Sequence, residues 1–283
     1  MIIAIWGCGG SGKTTLATGL GSIYAGRGTV GIIDTNLCSP TLPIQLSGTR
    51  LEQEHSLGRH MNRLGTNEIR PYFHQHPQCG GMFLAGLTDR DTFIDYEIGF
   101  EGIDRAREFL LQSEELLGTV ILDCSVQRTD PFLPVMLREA DCIVLPIVPN
   151  IGAVYWYEAI RPMLQNAVAL DRTMIAATMV QPFHLVSEVE RQTGFHFAAQ
   201  FKYSRDLARL HDECRLATEE LWRESISWTK NLHLLHDALE TCHDAVKACH
   251  DAASDDIRDA EQARDFEAIE NKTMSSATEE TIE

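Results

Sequence analysis

The first twenty residues constrain this chain more than any other stretch. Met1-Ile-Ile-Ala-Ile-Trp6 is an apolar run of strand length, Gly7-Cys-Gly-Gly-Ser-Gly-Lys-Thr14 follows without a gap, and Thr15-Leu-Ala-Thr-Gly-Leu20 opens a helical pattern. Strand, G-x-x-x-x-G-K-T loop, helix is the context in which a phosphate-binding P-loop is credible. Its glycines let backbone N–H groups approach phosphate oxygens with no Cβ in the way, and the helix N-terminus adds partial positive charge. The candidate phosphate-binding residues are Gly7, Cys8, Gly9, Gly10, Ser11, Gly12, Lys13, Thr14 and Thr15. Lys13 would reach the β- and γ-phosphates of a nucleotide, and the Thr14 hydroxyl would complete the shell of a Mg²⁺ ion. A glycine-rich turn with no ligand is the bland alternative. Flanking strand and helix argue against it.

Short apolar runs alternate with helical patterns through most of the chain. Strands are expected at Ile2–Trp6, Val30–Ile33, Gly81–Leu84, Val120–Leu122, Ile143–Leu145, Ile175–Val180 and Phe195–Ala199. Helices are expected at Thr14–Ala25, Ile103–Leu117, Pro131–Glu139 and Val154–Asn166. Such alternation predicts βαβ units, hence an α/β fold with a mostly parallel sheet. Ligands of these sheets bind at the carboxyl ends of the strands. Gly7, Asp34 and Asp123 each follow a strand and should converge there. Residues 47–80 read as a helix plus a mobile connection.

Net charge of −17 argues against a nonspecific grip on nucleic acid or anionic lipid. Arg59, Arg63 and Arg70 with His55 and His60 come nearest to a basic patch and read as a solvated helix face. Eight cysteines without C-x-x-C spacing fit a reduced, cytoplasmic protein. Met1-Ile-Ile has no basic n-region, so no signal peptide is expected. Pro146, Pro149 and Asn150 interrupt the longest apolar stretch, which excludes it as a membrane span.

The loop Cys8-Gly-Gly-Ser-Gly-Lys-Thr14 resembles the K-G-G-x-G-K-T loop of the MinD/ParA (SIMIBI) P-loop ATPases, with cysteine in place of the signature lysine. Gly31-Ile-Ile-Asp34 is similar to the family's second strand, whose terminal aspartate belongs to switch I. Asn36 stands where a water-orienting acid is common. Thr119-Val-Ile-Leu-Asp123 resembles the Walker B strand, and Phe201-Lys-Tyr-Ser-Arg-Asp-Leu207 the stretch near the nucleotide base, without its usual proline. Gly81-Met-Phe-Leu-Ala-Gly-Leu87 is similar to the Tad pilus positioning branch. The likeness spans residues 1–220. It implies ATP and Mg²⁺ as ligands, Lys13 and Asp34 as catalytic residues, Thr14 and Asp123 as metal-shell residues, and a cytoplasmic protein partner. That partner would be a second copy or a pilus or secretion component; neither nucleic-acid binding nor membrane insertion is implied.

Trp228, Leu232, Leu235, Leu239, Cys242, Val246 and Cys249 recur by fours and threes, the seam of an amphipathic or coiled-coil helix. Residues 231–283 hold 14 acids and 4 bases, a balance of −10, and past Ile257 the composition is that of a disordered acidic tail. The expected division is therefore 1–220, a P-loop domain; 221–257, a helical appendage; 258–283, a tail. Cys242-His243 and Cys249-His250 could share a metal only across a dimer, since seven helical residues span roughly 10.5 Å. Cys8 and Cys124 read as small residues beside the loop rather than redox switches. Asp130 before Pro131 reads as a helix cap rather than a γ-phosphate sensor. Together these features point to an ATP-binding regulatory or positioning protein with weak or absent hydrolysis. The alternatives are a small-molecule kinase or ligase using Arg90 and Arg128, and a nucleotide-free pseudo-ATPase.

Overall fold

The computed structural model describes residues 1–36, 41–46, 49, 51–62, 68–88, 100–213, 215, 226–249 and 251. The chain divides into two compact units, Met1–Glu240 and Thr241–Glu283. In order, the first unit contains β1 (Ile2–Ile5), α1 (Lys13–Ala25), β2 (Val30–Asp34), α2 (Leu42–Gln45), α3 (Leu57–Met61), β3 (His74–His76), β4 (Cys79–Ala85), α4 (Phe100–Leu117) and β5 (Thr119–Asp123). It continues with α5 (Phe132–Glu139), β6 (Cys142–Ile147), α6 (Ile151–Asn166), β7 (Thr173–Val180), α7 (Val186–Thr193), β8 (Phe197–Lys202) and α8 (Arg205–Asp212). Residues 226–240 form its last helix, α9; in the second unit residues 241–249 are helical.

The eight strands form one sheet in the order β3-β4-β2-β5-β1-β6-β7-β8, parallel throughout except for β3, which pairs antiparallel with β4. β1 is central, with Ile3 registered against Ile121 on one side and Cys142 on the other. Every residue of β1, β2 and β6 is buried, which requires helices on both faces of the sheet. One face packs Phe109, Phe132, Met136 and Ile160 of α4, α5 and α6 against Val120, Leu122 and Ile143. On the other, α1 lies over Ile32 and Met82 at Gly21.

α9 packs against α1 and reaches β6. Leu232, Leu235 and Leu239 are fully buried and Trp228 nearly so. Tyr24 at the end of α1 donates its hydroxyl to Glu240 at 2.8 Å, and the Cys142 thiol donates to the Leu239 carbonyl at 3.5 Å. The early part of the seam thus packs on its own domain, and the compact unit reaches residue 240. Leu235→Ala should cost about 2–5 kcal/mol by denaturant unfolding, as for other fully buried leucines. A cost below about 1 kcal/mol would place the helix outside the core.

All seven anticipated strands are present, most within a residue or two of the expected bounds. β8 begins two residues late because Phe195 packs outside the strand, edge-on to Tyr157. β3, α7 and α8 were not anticipated. His55 and His60 are half-buried rather than fully solvated: His55 meets Tyr72, and His60 meets Tyr72 and Phe109, edge-on or tilted. Arg63, Arg90 and the tail of 258–283 lie outside the described residues.

Candidate functional site

The loop between β1 and α1 has glycine at its two left-handed positions. Gly10 and Gly12 have φ of +72° and +80°, the left-handed region. Gly12 is the N-cap of α1 and carries no side chain to satisfy the first amides, which leaves them for an anion. Thr178 of β7 donates its hydroxyl to the Ser11 carbonyl at 2.8 Å and ties the loop to the sheet. The Lys13 ammonium folds back onto the Cys8 carbonyl at 3.3 Å, a long bond that is easily exchanged. Ser11 Oγ is buried with no hydrogen-bond partner among the described residues.

Parallel register brings the acids beside this loop. Asp34 and Asp123 are paired across β2 and β5, and Ile5, at the end of β1, is registered with Asp123. Thr14 donates its hydroxyl to Asp123 Oδ2 at 2.5 Å. Both oxygens of Asp34 are used: Oδ1 accepts from Asn36 N–H at 3.0 Å, while Oδ2 accepts from Thr41 N–H at 2.8 Å and Thr41 Oγ1 at 2.7 Å. Burial raises the Asp34 carboxyl above its ordinary range. Asp123 is pushed up to about 7, first by burial and then by the neighbouring Asp34 charge. Two buried acids and a threonine hydroxyl form a hard oxygen donor set, which fits Mg²⁺. A cation there would relieve the same repulsion that raises Asp123.

A second layer of contacts includes the Asp130 cap expected from the sequence and adds Thr35, which the sequence did not single out. Thr35 Oγ1 accepts from Ser125 N–H at 2.9 Å and donates to Asp130 Oδ2 at 2.5 Å, linking the segments that follow β2 and β5. Asp130 Oδ1 accepts from Phe132 N–H at 2.9 Å, so this acid holds the start of α5 and also Thr35. Burial pushes Asp130 to about 6. Cys124 is buried and burial raises its thiol well above the ordinary range, an environment that suppresses thiolate chemistry. Cys8 is half-buried, and Arg128 is exposed on the loop after β5.

A cavity of about 370 Å³ continues from the P-loop. Gly10, Gly12, Lys13, Thr14 and Thr15 line it; Gly7, Cys8, Gly9 and Ser11 do not, and neither do Asp34 and Asp123, which sit beside Thr14. The stretch after β8 supplies Tyr203, Ser204 and Leu207, where the sequence places the base-proximal segment. Thr178 and Met179, which belong to no motif, and Trp228, the first residue of the predicted seam, also line it. Met179 has φ of +50°, a strained conformation for a side chain of its size, and its Cε lies beside Gly12.

No protein-family model and no curated protein matches this chain. Solved structures do. McdA of Cyanothece superposes with a TM-score of 0.68 at 16% identity, over 83% of this chain and 98% of McdA, and a single-substitution variant of McdA is known in complex with ATP. The septum site-determining protein MinD of Pyrococcus horikoshii, complexed with Mg-ADP, gives 0.67 at 15%, over 83% and 93% of the two chains. A ParA family ATPase from Chlorobium tepidum gives 0.64 at 15%, over 83% and 98%. The chain therefore has the fold of the MinD/ParA P-loop NTPases.

Proposed function

We propose that this chain is a positioning or partitioning protein that binds Mg-ATP at the P-loop and hydrolyses it weakly or not at all. The observation that carries the reading is a continuous site. Amides at the start of α1 that no side chain caps, Lys13, the Thr14–Asp123 pair and a cavity large enough for a nucleoside meet at the carboxyl edge of the sheet. The ATP and Mg-ADP bound by McdA and MinD support the choice of ligand.

In this reading Lys13 exchanges its bond to the Cys8 carbonyl for phosphate oxygens. Thr14 and Asp123 hold Mg²⁺, which when bound supplies the positive charge that the phosphates and the two acids require. Asp34 contributes its charge and fixes Asn36 and Thr41 beside the site. Residues 1–220 are the nucleotide module, 221–257 a helical appendage whose residues 226–240 pack on that module, and 258–283 an acidic tail. A cytoplasmic partner, either a second copy or a component of a pilus or secretion apparatus, reads the bound state. The likeness of Gly81–Leu87 to the Tad branch supports that setting.

Titration calorimetry tests the binding step. Mg-ATP should bind, and Lys13→Ala should weaken it about 10- to 100-fold, the worth of a charge-assisted contact to phosphate. Equal affinity in the variant would end the P-loop reading.

A further inference from the structure

Part of the cavity wall does not come from the loops of the sheet. Trp228, near the start of α9, lines it with Phe201 and Tyr203, and Thr15 and Leu16 of α1 line it too. Trp228 is 7% exposed and packs tilted on Phe201, ring centroids 5.4 Å apart. Its ring also fills the notch at Gly19, where a Cβ would lie 2.7 Å from Trp228 Cη2. Only glycine permits that approach. One side chain therefore touches the cavity, β8 and the helix whose first turn carries Lys13 and Thr14.

The same helix is fastened further along. The Tyr24 ring lies 4.9 Å from that of His236, and its hydroxyl bonds Glu240. Between these points Leu232 and Leu235 are buried without exposed surface. α9 is thus attached along α1 from Gly19 to Tyr24 and closes one side of the nucleotide cavity.

We propose that α9 is a nucleotide-responsive clamp in which Trp228 contacts the purine base of the bound nucleotide. The inference rests on the nucleotide-binding reading above. Phosphates are served by amides and Lys13 at the loop end, so the base falls to the aromatic end, where Trp228, Phe201 and Tyr203 meet. A flat base gains most from such a wall, since aromatic surface and excluded water both favour it. Because the docked helix completes the subsite, base binding and helix docking strengthen each other by the same factor. A partner that grips α9 would then sense whether nucleotide is present.

The test uses the full-length protein. Amide hydrogen exchange over residues 226–240 is followed with and without saturating Mg-ATP, and Mg-ATP affinity is measured for wild type, Trp228→Ala and Trp228→Phe. Nucleotide should slow exchange over 226–240 about tenfold, reflecting the linkage. Trp228→Ala should bind Mg-ATP about tenfold more weakly, with Trp228→Phe within about threefold of wild type, as expected for an aromatic contact to a base. Wild-type protein that binds Mg-ATP with unchanged exchange over 226–240 overturns the clamp, whatever the variants do, and leaves the nucleotide reading standing. Absence of Mg-ATP binding by the wild type overturns both.

Discussion

Purified protein is expected to hold ATP without appreciable steady-state phosphate release, alone and at every concentration at which two copies can meet. Cys8 occupies the position of the lysine in the K-G-G-x-G-K-T loop that this sequence resembles, and a half-buried thiol places no cation on a partner's γ-phosphate. Loss of one such charge elsewhere among P-loop proteins removes roughly 10³–10⁵ in rate. Asn36, whose backbone is held to Asp34, offers an amide that can orient a water but cannot take its proton. The double substitution Cys8→Lys, Asn36→Asp should raise turnover by about 10³. Rapid release by the unmodified protein, abolished by Lys13→Ala, would mean that another group supplies the missing charge.

Asp123→Asn should stabilise the metal-free protein at pH 8 while removing its response to Mg²⁺. The folded protein holds this carboxyl at about 7 against an ordinary value of 3.8. The native state therefore binds more protons than the unfolded chain between those values, and the stability this group contributes falls as pH rises through that window. A displacement of this size corresponds to on the order of 4 kcal/mol, an upper bound because Asp34 titrates with it. Asparagine removes the buried charge and keeps an oxygen for the Thr14 hydroxyl. Thermal melts from pH 4 to 8 should show a falling profile for wild type and a flatter one for the variant. Added Mg²⁺ should raise the wild-type curve at pH 8 only. Parallel profiles, or a variant that still responds to Mg²⁺, would remove Asp123 from the cation site.

The centre of the sheet was legible because β1, β2 and β6 are buried on both faces and read as unbroken apolar runs ending in a loop or an acid. The P-loop, Asp34 and Asp123 were legible for the same reason, since each marks a strand end. β3 was not, because His74-Gln-His76 is too short and polar to show a period and exists only as a partner of β4. α7 and α8 were hidden by polarity: they bury only one narrow stripe, and Val189 and Thr193 are the buried residues of α7. The missed site residues, Thr35, Thr178, Met179 and Trp228, share no spacing. Their roles arise from tertiary placement, which no local pattern encodes. The heptad at Trp228 announced a seam but not which surface it would cover.

Gly19 and Gly21 sit two apart in the middle of α1, one against α9 and the other against the sheet. Each weakens an isolated helix by about 1 kcal/mol. α1 therefore has little reason to persist until both surfaces arrive, and they arrive late. β1 waits for β5 and β6, more than a hundred residues downstream, and the notch at Gly19 waits for Trp228. The phosphate loop is therefore held in place by contacts from segments far along the chain. A chain that ends before α9 keeps the phosphate-binding residues but loses Trp228 from the cavity wall and leaves the notch at Gly19 unfilled.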